Sequence, residues 1–276
     1  MSITNNKIFT YFLDLDGTLF DLKTGTRISK NNINAIMMIK KFVNVVISTG
    51  RSYNDHRIKE TMKLLQIEDA ICSGGGEIYI NNNLHKYFKI EDQLIFDVLD
   101  YAYNLRLPLV VFDKNGESVY LRTKIDRFLN KLFLSKKWNI IELFKNFDYT
   151  KHNDVIKLAL IVKNPFKAKK IIRKFSNYFG NKLNAYIANK GFVIEITSNS
   201  SNKGIAEQIY LEAKGLMKEN AVHIGDSDAD ACVKGYVGKL VAMKNGSKLI
   251  KTLADEVAPN YKYSGIYKYF LGKVID

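Results

Sequence analysis

Short apolar runs, rich in β-branched and aromatic residues, repeatedly stop at polar turns in this chain. That recurrence constrains the fold more than any other feature. Residues 7–15 (KIFTYFLDL) end in the turn Asp14-Leu15-Asp16-Gly17-Thr18. Residues 43–49 (VNVVIST) run into Gly50-Arg51, and residues 221–224 into Gly225-Asp226-Ser227-Asp228-Ala229-Asp230. Runs of this length read as buried strands. Between them lie helical patterns at residues 32–41, with Ile33, Ile36 and Met37 at helical spacing, and 53–65, with Ile58, Met62 and Leu65 on one face. Strands that alternate with amphipathic helices predict an α/β fold built on a parallel, Rossmann-like sheet. In open sheets of that kind, ligands gather beyond the carboxyl ends of the strands.

Short strands at 70–72 and 77–80 flank Ser73-Gly74-Gly75-Gly76. The pattern then changes. Residues 91–105 predict a helix, 107–112 and 119–122 strands, 125–134 a helix, 155–162 a strand and 166–178 a basic amphipathic helix. Residues 183–188 and 192–196 predict a hairpin about Asn189-Lys190-Gly191. The α/β alternation returns with helices at 203–213, 228–234, 247–253 and 264–271 and strands at 221–224 and 239–242. The expected organisation is a core formed by residues 1–83 and 199–276, with an inserted α+β module at 84–198.

Composition excludes several classes. At 276 residues with 46% apolar and 25% charged side chains, the chain can bury a core without disulfide staples. Its two cysteines, Cys72 and Cys232, form no CxxC pair, which argues against structural zinc and fits a reducing, cytoplasmic setting. The polar N-terminus predicts no signal peptide, and no apolar run approaches the ~18–20 residues of a membrane span. The net charge of +14 is uneven: residues 84–199 carry 21 basic and 11 acidic side chains. This reads as a lysine-rich surface or as a field that steers a small anionic substrate. With no long basic run, neither nucleic acid nor membrane is an expected partner. Oligomeric state is left open.

The chemistry-bearing residues sit at strand ends. Asp14 and Asp16 flank a turn in which Gly17 supplies backbone freedom, so the two carboxylates are expected to converge on one site. Ser48, Thr49, Gly50 and Arg51 offer hydroxyl and backbone donors for a phosphate. Lys203 opens a helix beside its N-terminal amides. Asp226, Asp228 and Asp230 offer hard oxygen ligands suited to Mg²⁺. Together these form a constellation for phosphoryl transfer. His56, His85, His152 and His223 have no metal-ligand spacing, and His223, in an apolar strand, reads as a structural histidine. Both cysteines read as packing residues.

Taken in order, DLDGT, STGR, an insertion, NKG, GDSDAD and VAMKNGSK resemble the motifs of the haloacid dehalogenase superfamily of hydrolases, specifically the Cof-type, subclass IIB members. The resemblance spans the chain and implies a C2-type cap for the insertion. It implies that Asp14 is the nucleophile and Asp16 the general acid/base. It also implies that Mg²⁺ sits between Asp14, the backbone carbonyl of Asp16 and Asp226, that Asp230 completes the metal site by holding metal-bound waters and orients Lys203, and that Thr49, Gly50 and Lys203 contact phosphate. Gly75 falls where the family has a segment near the substrate, and Arg51 contacts either substrate or the protein itself. The implied activity is Mg²⁺-dependent hydrolysis of small phosphate esters, such as sugar or nucleotide-like phosphates. A phosphomutase and a phosphometabolite-binding regulator are the alternatives. One departure stands out. Ala229 occupies the position of a family Asn, and Asp228 is not expected to substitute for it, because adjacent helical residues point apart.

Overall fold

The computed structural model describes residues 9–24, 27–114, 116–123 and 140–275. In chain order the elements begin with β1 (Thr10–Leu13), α1 (Lys30–Ile39), β2 (Asn44–Ser48), α2 (His56–Leu65), β3 (Ala70–Cys72), β4 (Glu77–Ile80) and β5 (Asn83–Tyr87). Next come α3 (Asp92–Asn104), β6 (Leu109–Asp113), β7 (Gly116–Leu121), β8 (Ile140–Leu143), β9 (Lys157–Ile161), α4 (Ala168–Phe179), β10 (Leu183–Ala188) and β11 (Val193–Ser198). The last stretch holds α5 (Lys203–Ala213), β12 (Ala221–Gly225), α6 (Asp228–Ala231), β13 (Lys239–Met243), α7 (Lys248–Leu253), β14 (Glu256–Ala258) and α8 (Gly265–Ile275).

The chain forms two compact units, Met1–Lys86 with Asn202–Asp276, and Tyr87–Ser201. The first holds an eight-stranded sheet in the order β14-β13-β12-β1-β2-β3-β4-β5. From β14 to β3 every neighbouring pair is parallel, and β4 turns back antiparallel to β3. Helices cover both faces. Tyr11 of β1 packs edge-on against Phe270 of α8, while Phe12, next along the strand, packs edge-on against Tyr210 of α5. That alternation explains why β1 reads as apolar throughout: helices pack on both of its faces. Helix starts are set locally. Ser29 caps α1 through Asn32 N–H, Asp55 caps α2 through Arg57 N–H, and Asn202 caps α5 through Ile205 N–H.

The second unit is a six-stranded sheet in the order β10-β11-β9-β6-β7-β8, antiparallel except for β7 with β8. Its main core joins Ile95, Val98 and Leu99 of α3 and Phe175 and Phe179 of α4 to Leu109, Val111, Leu158, Leu160, Ile194 and Ile196 of the strands.

Three strands lie outside the sequence expectation. β5 (NLHKY) is largely exposed and shows no apolar alternation, and β8 and β14 are short edge strands. Pairing with a neighbour creates such strands, so they leave little trace in hydrophobic pattern. The helix expected at 228–234 is the single turn α6, because Asp228, Asp230 and Gly235 favour caps and turns over helix interior. The helix expected at 125–134 lies outside the described residues. No described helix is long and apolar enough to cross a membrane.

Candidate active site

Register builds the site. Leu13 pairs with Ile224 on one side and with Ile47 on the other. The next residues, Asp14, Gly225 and Ser48, therefore leave the sheet at one level. The Asp14 amide carries the ladder one step further, donating to the Ile224 carbonyl at 3.0 Å. Side chains alternate along strands, so Asp14 shares the face of Phe12, and Ser48 that of Val46. His223, the register partner of Phe12, shares it too. This face receives α5, and Lys203 and Glu207, four residues apart, lie on one side of that helix.

Lys203 Nζ reaches three acceptors: Asp14 Oδ1 at 2.8 Å, the Ser48 carbonyl at 2.8 Å and Asp230 Oδ1 at 2.5 Å. An ammonium has three hydrogens, so its donor capacity is filled. The other oxygen of Asp230 accepts from the amides of Asp226 at 3.1 Å and Ser227 at 2.8 Å and from Ser227 Oγ at 2.6 Å. The Ser227 amide bond is one half of the capping box of α6, whose other half is the Asp230 amide donating to the Ser227 side chain.

The electrostatics follow from burial and charge. Burial drives Asp14 above the ordinary carboxylate range; Lys203 opposes that shift and Asp230 reinforces it. Burial likewise raises Asp226, aided by the charges of Asp14 and Asp230. Asp230 goes the other way: against its own burial, Lys203 and His223 hold it ionised. Lys203 overcomes burial through Asp14 and Asp230 and stays charged. His223, fully buried, is raised to about 9, because Glu207 and Asp230 outweigh its desolvation.

One carboxylate oxygen each from Asp14, Asp226 and Asp230 lie within 4.8 Å of one another. The donors are all hard oxygens, and two of these carboxylates are held against ionisation. Such a set suits a small divalent cation such as Mg²⁺, whose charge would relieve the repulsion. Gly17 makes room for it. At φ +85°, a Cβ there would lie 2.2 Å from Asp226 Oδ2. Asn245 Nδ2 ties the two segments, donating to the Gly17 carbonyl at 2.8 Å and to Asp226 Oδ2 at 3.2 Å.

Asp16 is placed differently from its partner. Its carboxylate is half-exposed and turned to Arg51, which binds one oxygen through Nε and the other through Nη2, both at 2.6 Å. The carboxylate cluster thus contains Asp14 without the side chain of Asp16. Arg51 also binds Asp55 Oδ2 at 2.9 Å and lies over the Phe20 ring, so its contacts here are within the protein. Thr49 is buried, and its hydroxyl accepts the Arg51 amide at 3.3 Å. Gly50 lies between them in the same turn. Gly75, at φ +99°, has a packing requirement: a Cβ would meet the Asn202 backbone at 2.3 Å, at the start of α5. Asp228 accepts from Ser247 Oγ at 2.5 Å, while Asp226 and Asp230 face the cluster.

Sequence reasoning passed over Glu207, counted the Ser48 hydroxyl among the phosphate donors, and read His223 as structural. Glu207 Oε1 accepts from Ser48 Oγ at 2.7 Å, and the His223 ring bridges Glu207 Oε1 at 2.7 Å to Asp230 Oδ1 at 3.1 Å. The spacing of Lys203 and Glu207 was the available signal; the strand register was not. Cys72 and Cys232 are not joined in a disulfide, and burial pushes the Cys232 thiol up to about 11, away from nucleophilic use.

Comparison with known proteins identifies the family and the fold. Residues 11–270 match the family model described as haloacid dehalogenase-like hydrolase. Phosphoglycolate phosphatase 1 of Saccharolobus solfataricus is 24% identical over 258 residues, covering 93% of this chain and 92% of that protein. Among solved structures, BT1666 of Bacteroides thetaiotaomicron superposes with a TM-score of 0.78 at 18% identity, covering 100% of this chain and 98% of that one. The subclass IIB sugar phosphatase BT4131 superposes with a TM-score of 0.80 at 16% identity, covering 97% and 100%. These two likenesses concern the fold.

Proposed function

This chain belongs to the haloacid dehalogenase-like hydrolases, and from that membership we propose that it is a Mg²⁺-dependent phosphatase of small phosphorylated metabolites, working through an aspartyl-phosphate on Asp14. The observation that carries the reading is the cluster of buried Asp14 and Asp230 with half-buried Asp226, Lys203 bonded to the first two, beyond the carboxyl ends of parallel strands. The names of the relatives, a phosphoglycolate phosphatase and a sugar phosphatase, support a small phosphomonoester as substrate. Two cysteines that form no disulfide suit a cytoplasmic setting.

In this mechanism Asp14 attacks phosphorus. A bond forms between its carboxylate oxygen and phosphorus as the bond to the leaving alcohol breaks. Asp16 donates a proton to the departing oxygen, then takes one from the water that hydrolyses the aspartyl-phosphate and releases inorganic phosphate. Lys203 stays charged throughout and offsets the negative charge gathered around Asp14. Thr49 and the Gly50 backbone lie on the strand end next to Asp14, where they donate to the phosphoryl oxygens. Asp14, Asp226, Asp230 and the backbone of Asp16 would hold Mg²⁺, which when bound withdraws charge from the phosphoryl group and eases the approach of one anion to another. The inserted unit is assigned as the substrate-selecting cap from its place in the chain, between the two stretches of the first unit.

The test is hydrolysis of p-nitrophenyl phosphate by the wild type and by Asp14→Asn, with and without Mg²⁺, followed by product analysis on hexose phosphates. Wild-type turnover that needs Mg²⁺ and Asp14 and releases inorganic phosphate is expected. Full activity in excess chelator, or in Asp14→Asn, overturns the proposal. Transfer of phosphate within the sugar in place of release turns it into a mutase.

A further inference from the structure

Behind the carboxylate cluster, five buried residues close a hydrogen-bonded ring. Lys203 Nζ donates to the Ser48 carbonyl, and Ser48 Oγ donates to Glu207 Oε1. The His223 ring joins Glu207 Oε1 to Asp230 Oδ1, and Asp230 Oδ1 returns to Lys203 Nζ. No member is more than 2% exposed. The ring spans β2, α5, β12 and α6, so it locks together the four elements that surround the Lys203 ammonium. We propose that Glu207 and His223 are positioning residues of the active site, which fix Lys203 against Asp14 by holding Ser48 and Asp230 from behind. The inference rests on the phosphatase reading for its kinetic consequence, while the ring itself stands on geometry.

The alternative is that the pair merely stabilises the fold, and physical chemistry speaks against it. Glu207 is fully buried, and among the described residues its Oε2 has no hydrogen-bond partner. A buried ionic pair with an unsatisfied oxygen is a poor source of stability, and well-packed apolar side chains usually do as well or better. What apolar side chains cannot do is hold a serine hydroxyl and a carboxylate in fixed directions. In the ring both matter: Asp230 accepts from Lys203 directly, the Ser48 hydroxyl anchors to Glu207 the residue whose backbone carbonyl is a second acceptor, and Asp14 supplies the third.

The decisive comparison is the double variant Glu207→Leu/His223→Leu against Glu207→Gln, which keeps an oxygen able to accept from Ser48 and His223. The double variant is expected to melt at or above the wild-type temperature and to lose ~10–100-fold in kcat, with little change in KM, as misplacement of a catalytic group predicts. Glu207→Gln should retain most of kcat. Reactivity of Lys203 toward reductive methylation, measured by mass spectrometry without metal or substrate, should rise in the double variant and stay low in Glu207→Gln. If the double variant does not fold, Ser48→Ala opens the same ring at one link and is expected to shift kcat and Lys203 labelling in the same directions. A folded, ring-opened protein with unchanged kcat and unchanged Lys203 labelling overturns the proposal. If the wild type hydrolyses no phosphomonoester, the phosphatase reading falls, and the labelling still decides whether the ring fixes Lys203.

Discussion

Arg51 grips Asp16 with two parallel hydrogen bonds of 2.6 Å, one to each carboxylate oxygen. The fork fixes which way an otherwise half-exposed carboxylate faces, and Asp55 steadies the guanidinium from the other side at 2.9 Å. Lysine offers a point charge in place of a planar fork. Arg51→Lys is therefore expected to behave like Arg51→Ala, both lowering kcat on p-nitrophenyl phosphate by ~10-fold or more through loss of Asp16 orientation. Wild-type kcat in Arg51→Lys would show that Asp16 works without the fork.

Asp14 and Asp226 are held above the ordinary carboxylate range, chiefly by burial. A raised folded-state pKa means that the folded protein binds more protons than the unfolded chain. The stabilisation is complete below the ordinary aspartate value of ~3.9 and is lost as pH rises through the folded-state value. The metal-free protein should thus lose stability from this source on the way to alkaline pH, and Mg²⁺ should restore it by favouring the ionised form. Asp14→Asn should gain thermal stability over the metal-free wild type as pH rises, with the advantage shrinking on addition of Mg²⁺. Melting curves of both proteins across pH, in chelator and in Mg²⁺, check this. A difference that is flat with pH contradicts it.

Gly17 is required for two reasons, its φ of +85° and the 2.2 Å that a Cβ would leave to Asp226 Oδ2. Gly17→Ala should cost ~1–3 kcal/mol in stability for the strained backbone. It should also weaken Mg²⁺ activation, because Asp226 is the side chain that must move. Urea unfolding and a Mg²⁺ titration of activity measure the two effects separately. Unaltered Mg²⁺ activation would show that Asp226 is not a ligand.

At Ala229 the family position lacks its amide. Asp228 is tied to Ser247, and the Asn245 amide reaches Asp226 from the following loop. A hydrogen bond to a charged group is worth ~1.5–3 kcal/mol, and about 1.4 kcal/mol is tenfold in rate. Ala229→Asn is expected to raise kcat/KM by roughly tenfold, and Asn245→Ala to lower it by a similar factor. Steady-state kinetics on one substrate decide the matter. An Ala229→Asn variant no better than the wild type would mean that Asn245 already completes the site.

The order of strands and helices in the α/β unit is written into local pattern. β1, β2 and β12 are apolar because both faces of the sheet are covered, and each breaks off at residues that cannot be buried without partners. For the same reason the sequence alone marks out Asp14 and Asp226 as polar groups waiting at strand ends, with Lys203 and Asp230 in short polar stretches that open helices. Tertiary structure decided how they divide. The two carboxylates of DLDGT part company, Asp14 inward to Lys203 and Asp16 outward to Arg51, because the chain has left the regular strand by Asp16 and its direction depends on what it meets. Edge strands β5, β8 and β14 exist through pairing and carry no apolar signature of their own. The ring through Ser48, Glu207 and His223 depends on the register that sets Phe12 beside both Val46 and His223. Register is a relation between segments far apart in the chain, set by the packing of the whole sheet, and no local stretch of sequence contains it.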